Sequence, residues 1–128
     1  MKVLASRREE KQEEVRLRVM RLISGNPELS SRQVADAVGV SNGSAYYILA
    51  ALVDKGFVKL GNFKKSSRKG GYAYFLTPKG MRKKSLLTHH FIERKRQEFK
   101  DLRAEIEALE GEAGFDVRRE LLRTLKSD

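Results

Sequence analysis

The longest stretch of the sequence without a helix-breaking residue constrains the fold most. It begins at Thr77-Pro78, where Thr can cap a helix and Pro at the first helical position gives up no needed amide. After Gly80 the next residue that disfavours a helix is Gly111. At about 1.5 Å per residue this helix reaches roughly 50 Å, which is too long for burial inside a domain of 128 residues. We therefore predict a domain over residues 1–80 and a helical extension over residues 81–128, which ends in a short helix at 116–126.

Positive charge is concentrated in one part of the chain. The net charge is +10, and the stretch from Lys55 to Ile92 contains ten Lys or Arg and no Asp or Glu, while the rest of the chain is balanced. Because neutralising phosphates releases counterions, such a stretch favours a nucleic-acid partner. A solubilising surface is the alternative, but that kind of surface usually mixes charges of both signs. Anionic lipid is a weaker alternative.

The first helix is predicted from about Glu9 to Ser24. Its main apolar face has helical spacing and consists of Val15, Val19, Leu22 and Ile23. Leu17 and Met20 fall roughly opposite, and a small domain does not usually expose two such residues. We therefore expect a second packing partner on that side, either the long helix of the same chain or another subunit.

Two shorter helices follow, separated by a glycine turn. Ser30 and Gln33 have the spacing of a capping box, and Gly39 is suited to end the helix that they begin. Ser41 is the expected N-cap of the next helix, over residues 42–55. The apolar positions of both helices predict that they pack against each other, which leaves one face of helix 42–55 outward.

A hairpin is predicted after this helix pair. Strand-like segments at 57–63 and 72–77 flank a basic, turn-forming segment. A helix pair with a short turn, followed at once by a hairpin, predicts a winged helix-turn-helix. The expected fold class is mainly α with a small β-hairpin, in which the winged helix-turn-helix is followed by a long C-terminal helix.

Several residue runs in this region form a recognisable pattern. They are Val40-Ser41-Asn42-Gly43-Ser44-Ala45, Leu49, Leu52, Asp54-Lys55-Gly56-Phe57-Val58 and Leu76-Thr77-Pro78-Lys79-Gly80. The pattern resembles the MarR (multiple antibiotic resistance regulator) family of bacterial transcription factors over roughly residues 14–110. A single N-terminal helix, the Asn62-Phe63-Lys64 strand exit and one long C-terminal helix make it most similar to the branch associated with exopolysaccharide gene clusters. The resemblance implies a homodimer that binds pseudo-palindromic operator DNA.

Two positions depart from that pattern. Family wings often carry Asp-x-Arg near the tip, and here Arg68 is present but the Asp position is Ser66. Position 47, often Arg in such helices, is Tyr. Reading of guanine by a bidentate Arg is therefore not expected from helix 42–55, whose polar residues and tyrosines would have to read base edges or thymine methyl groups.

The winged fold assigns the DNA-binding residues by position. The second helix of the pair enters the major groove, and the wing, residues 64–71, reaches phosphates or the minor groove. Packing against a neighbouring element is the alternative for the two tyrosines, and a solvated loop is the alternative for the wing. The candidates are Arg32, Asn42, Gly43, Ser44, Tyr46, Tyr47, Lys64, Lys65, Arg68 and Lys69.

The long helix carries an apolar stripe with a period of seven. Ile92, Phe99 and Ile106 repeat at seven, Leu102 and Leu109 fill the intervening positions, and Lys95 interrupts the seam. We expect dimerisation through Leu17, Met20, Ile92, Phe99, Leu102, Ile106 and Leu109, with parallel and antiparallel pairing both open. A monomer that docks another protein through this helix is the alternative.

Several other functions lack a sequence signal. There are no Cys residues, and the adjacent His89 and His90 diverge by about 100° on a helix, so we expect no metal site. No catalytic constellation, cofactor motif, membrane span or signal peptide is visible, so we expect a cytoplasmic protein that is not an enzyme. No polar cluster identifies a small-molecule effector. The alternative function is a winged-helix interaction module that binds RNA, or a protein through the long helix.

Overall fold

Helices dominate the chain, as the sequence predicts. The computed structural model describes residues 7–62, 72–114 and 117–126. The elements within these ranges are α1 (Arg7–Gly25), α2 (Ser31–Val38), α3 (Asn42–Asp54), β1 (Val58–Asn62), β2 (Tyr72–Leu76), α4 (Pro78–Ala113) and α5 (Val117–Lys126). The expected fold class, a mainly helical winged helix-turn-helix with a two-stranded hairpin, is confirmed.

The chain divides into two units, one that ends at Phe91 and one that begins at Ile92. Helix α4 contributes residues to both. The sequence predicts a boundary after residue 80. Leu87, in the third turn of α4, belongs to the first unit, where it is buried in the core with α1, α2 and α3.

Helix α1 is buried on more than one side because it packs against α2 and against β2. Its buried residues are Leu17, Val19, Met20 and Ile23, whereas Val15 and Leu22 are half-buried. This corrects the dimerisation prediction for Leu17 and Met20. Both lie in the core of their own chain and expose 4% and 0% of their surface, so neither offers a surface to a second subunit.

The caps of α2 agree with the predicted spacing. The Gln33 amide donates to Ser30 Oγ at 3.1 Å, and the Ser30 amide donates to Gln33 Oε1 at 2.9 Å, which completes the capping box. Gly39 ends the helix with a φ of 82°, a left-handed conformation that glycine adopts without steric cost. The capping box therefore defines the start of α2, and Gly39 begins the turn that leads into α3.

Helix α3 starts at the predicted cap. The Ser44 amide donates to Ser41 Oγ at 3.1 Å. Ala45, Leu49 and Leu52 are buried against the rest of the core. Because the buried residues occupy one side of α3, the opposite side is left outward.

The hairpin pairs β1 and β2 in antiparallel register, from Val58 opposite Leu76 to Asn62 opposite Tyr72. Val58 and Ala73 are buried and tie the sheet to the helical core. The Tyr74 amide donates to the Pro27 carbonyl at 2.9 Å, so the loop after α1 pairs with the outer edge of β2. The residues that connect the two strands, 63–71, lie outside the described part of the chain.

The start of α4 is held against the end of α3. Thr77 Oγ1 donates to the Gly56 carbonyl at 2.6 Å and accepts from the Gly80 amide at 3.0 Å. A Cβ at Gly80 would overlap the carbonyl of Phe57, so only glycine fits this approach. Lys79 Nζ donates to the Lys55 carbonyl at 3.0 Å and lies 5.2 Å from the centroid of the Phe57 ring.

The second unit consists of the remainder of α4 and α5. Its described side chains are almost all exposed, and ion pairs such as Arg103–Glu107 link successive turns of α4. None of the helices within the described ranges has an apolar stretch of the length that spanning a bilayer requires.

Candidate nucleic-acid interface

The outward face of α3 is exposed and carries no cation. Tyr46 and Tyr47 expose 65% and 75% of their surface, and Ala50 is exposed on the next turn. No residue from Asn42 to Val53 carries a charge, and the one charged residue of the helix is the exposed Asp54 in its last turn. Over its first three turns this face can therefore offer aromatic carbon, methyl and hydroxyl groups, but no cation.

The first turn of α3 is open to a partner. Asn42, Gly43 and Ser44 are exposed, and a Cβ at Gly43 would meet no atom within 4 Å. Ser41 Oγ donates to Ser44 Oγ at 2.9 Å while accepting from the Ser44 amide. The Ser44 hydroxyl therefore accepts a hydrogen bond from Ser41 and retains its own hydrogen for donation.

A cleft of about 930 Å³ lies beside this face within the first unit. Gly43, Ser44 and Tyr47 line it from α3. Its charged lining residues, among those that the structure describes, are Arg8, Lys11, Arg16, Asp54, Lys55 and Lys83. Five cations and one carboxylate give the cleft a positive potential, which suits an anion or the phosphates of a nucleic acid.

The cations that α1 contributes to this cleft were not predicted. Arg8, Lys11 and Arg16 line the cleft, and none of the glutamates of α1 in the described chain does so. Glu13 instead lies 3.8 Å from His90 Nδ1 on α4. The helical spacing of the three cations places them on one side of α1, which the sequence alone could have indicated. The net charge of the whole segment does not show this, because the glutamates of α1 offset most of its positive charge.

The predicted DNA-binding residues lie in three parts of the chain: α3, α2 and the wing. The structure brings Asn42, Gly43, Ser44, Tyr46 and Tyr47 together on α3, all of them exposed. Arg32 is exposed in the first turn of α2. The wing candidates Lys64, Lys65, Arg68 and Lys69 lie outside the described residues.

The apolar stripe of the second unit is exposed. Its members expose between 41% and 63% of their surface: Ile92, Phe99, Leu102, Ile106 and Leu109. Helix α5 exposes Leu121, Leu122 and Leu125 as well. A soluble chain does not usually leave this many large apolar residues in contact with water.

Metal-binding residues do not cluster in the described part of the chain. No group of three or more His, Asp or Glu residues there is arranged to hold a metal ion. His89 and His90 have ring centroids 6.2 Å apart with the rings tilted by 54°.

A family model matches part of the first unit. Residues 12–59 match the model described as winged helix-turn-helix DNA-binding. That span contains most of α1, all of α2 and α3, and the start of β1. No curated protein matches the sequence.

Solved structures share the fold at low sequence identity. A MarR/EmrR family transcriptional regulator from Acinetobacter sp. ADP1 is 19% identical, with a TM-score of 0.54 over 77% of this chain and 74% of that chain. MepR, a regulator of the Staphylococcus aureus multidrug efflux pump MepA, is 15% identical, with a TM-score of 0.56 over 91% of this chain and 86% of that chain. The repressor CouR, bound to a 23-mer DNA duplex, is 20% identical, with a TM-score of 0.55 over 77% of this chain and 69% of that chain. The chain thus has the fold of MarR-type regulators.

Proposed function

We propose that this protein is a DNA-binding transcriptional regulator of the MarR type that acts as a homodimer on double-stranded operator DNA. The observation that carries the proposal is the outward face of α3. It is exposed over its whole first half and is held in place by the Ser41 cap and by the buried residues Leu49 and Leu52. An α-helix presented in this way fits the major groove of B-DNA.

Electrostatics support a nucleic-acid partner. The cations that line the cleft lie beside α3, and the acid-free stretch from Lys55 to Ile92 adds the predicted wing cations. Arg32, in the first turn of the preceding helix, is suited to a phosphate contact. Together these groups would supply sequence-independent affinity that falls with salt.

The exposed apolar stripe of α4 supports dimerisation. Repetition at seven residues is typical of helices that pair, and a second copy of the chain would cover the stripe. Two copies would present two α3 helices, which matches the symmetry of a pseudo-palindromic operator. The resemblance to the exopolysaccharide-associated branch supports operators at exopolysaccharide genes as the expected targets, and we expect the protein to act in the cytoplasm.

The test compares nucleic-acid classes. Purified protein is titrated against labelled duplex DNA, hairpin RNA and single strands of matched length, at several salt concentrations. We expect preference for duplex DNA and a steep loss of affinity as salt rises. A clear preference for RNA would support the interaction-module alternative instead.

Wing variants refine this test. Replacing Lys65, Arg68 and Lys69 with Ala should weaken binding to all duplexes alike and flatten the salt dependence by about one unit of slope per lost phosphate contact. Replacing Arg96, Lys100 and Arg103 with Ala on α4 removes the same charge from exposed positions of the second unit and serves as the control. Equal effects of the two triple variants would show that net charge, not the wing, sets affinity.

A further inference from the structure

We infer that α3 selects DNA through the methyl groups of thymine, with Tyr46 and Tyr47 as the specificity-determining residues. This inference rests on the proposed function, because it concerns how the same helix distinguishes one duplex from another.

The reading face of α3 contains no cation, and its one charged residue is Asp54 in the last turn. The commonest specific contact in the major groove is Arg or Lys to the O6 and N7 atoms of guanine. Residues Asn42 to Val53 supply neither side chain. Lys55 follows the last residue of the helix as its C-cap. Guanine therefore has no bidentate cationic partner on this helix.

The face of α3 offers two aromatic rings and a methyl group. Tyr46 and Tyr47 are the most exposed large side chains of α3, and Ala50 adds a methyl group one turn later. Thymine is the one base that presents an apolar group, its C5-methyl, in the major groove. Contact between an exposed ring and this methyl removes apolar surface of both partners from water.

Neutral hydrogen-bonding groups accompany the rings on this helix. A tyrosine hydroxyl can donate to adenine N7 or thymine O4 and accept from adenine N6. The Ser44 hydroxyl, which accepts a hydrogen bond from Ser41, can donate to the same acceptors. The open surface at Gly43 lets the backbone of the first turn approach the bases closely.

Specificity and affinity then come from different parts of the molecule. The cations of the cleft supply attraction that depends on salt and not on sequence. The side chains of Ser44, Tyr46 and Tyr47 supply discrimination that salt changes little, because none of them carries a charge.

The experiment replaces individual thymines of a bound duplex with deoxyuridine. Duplexes are first selected from a random pool by the purified full-length protein, and each conserved thymine is then exchanged singly, which removes only the C5-methyl. Affinity is measured by fluorescence anisotropy at two salt concentrations. We expect a loss of about fourfold at each contacted thymine, the effect of burying one methyl group (about 0.8 kcal/mol), and the same loss at both salts.

Tyrosine variants assign the methyl effect to the two rings. Tyr46→Ala and Tyr47→Ala should each abolish the deoxyuridine effect at one thymine position and lower affinity for the selected duplex by about the same fourfold factor. Tyr46→Phe and Tyr47→Phe keep the ring and should keep the effect. Because both side chains are exposed, the variants should fold, and thermal melts check this.

The outcomes separate this inference from the function on which it rests. If the protein binds selected duplexes but deoxyuridine has no effect, or if the selected sites depend on guanine, the inference is wrong and the proposed function stands. If the protein binds no duplex in preference to RNA or single strands, both fail.

Discussion

The two ends of helix α4 place their apolar residues in opposite environments. In the first unit Leu87 is buried in a core to which α1, α2, α3 and β1 contribute. Beyond Phe91 the same helix exposes Ile92, Phe99 and Ile106. One helix therefore completes a core at its start and leaves an apolar stripe uncovered further on. This exposed stripe is the reason for proposing that a second copy of the chain packs against the second unit.

The largest expected effect comes from charging the stripe. Phe99→Asp combined with Ile106→Asp should convert the dimer to a monomer, because two carboxylates would be buried in the seam. Loss of the second α3 should lower operator affinity by about a hundredfold or more. Sedimentation velocity measures the oligomeric state, and anisotropy measures binding.

A matched control tests whether the position of the charge matters. Gln97→Asp with Ala104→Asp has the same spacing and lies on the opposite, exposed side of α4. This variant should sediment as the parent does. A dimer that survives the changes at Phe99 and Ile106, or that is lost with both pairs, would contradict the assignment of the stripe.

The next largest difference is expected when a leucine is replaced with Ala in each unit and the losses in free energy of unfolding are compared. Leu49→Ala removes a core side chain and should lower the free energy of unfolding by about 2–5 kcal/mol. Leu109→Ala, made in the monomeric Phe99→Asp, Ile106→Asp background, removes an exposed side chain and should change it by about 0.5 kcal/mol or less. Urea unfolding followed by circular dichroism measures both, and similar losses would show that the second unit has a core of its own.

Two glycines of α4 sharpen the comparison further. Replacing each with Ala should change the free energy of unfolding in opposite directions. Gly80→Ala places a methyl on the Phe57 carbonyl and should destabilise the protein by about 1–3 kcal/mol. Gly111→Ala meets no atom within 4 Å and should stabilise the helix by about 0.5–1 kcal/mol. Thermal melts of the two variants should move in opposite directions, and a stable Gly80→Ala variant would show that α4 does not approach Phe57 closely.

The sequence predicts the local parts of this structure well. The capping box at Ser30 and Gln33, the left-handed Gly39 and the Ser41 cap depend on residues three to five positions apart, and all are confirmed. The hairpin follows from strand propensity on either side of a turn-forming segment. Such features need no knowledge of the rest of the fold.

Contacts between distant residues were harder to predict. Leu17 and Met20 were assigned to a subunit interface because periodicity gives one helix face, whereas α1 is covered on two sides by elements far along the chain. The bond from Thr77 to Gly56 and the contact of Lys79 with the Phe57 ring likewise join residues more than twenty positions apart. The α1 cations Arg8, Lys11 and Arg16 share a cleft with Lys55 and Lys83 only in the folded chain.

The central claim is that two copies of the chain present α3 to double-helical DNA. Selection of genomic fragments by the purified protein, followed by sequencing of the bound fraction, tests it most directly. The account predicts a recurring inverted repeat whose half-sites are separated by about one helical turn. Bound fragments without any shared repeat, or with a single unpaired half-site, would contradict it.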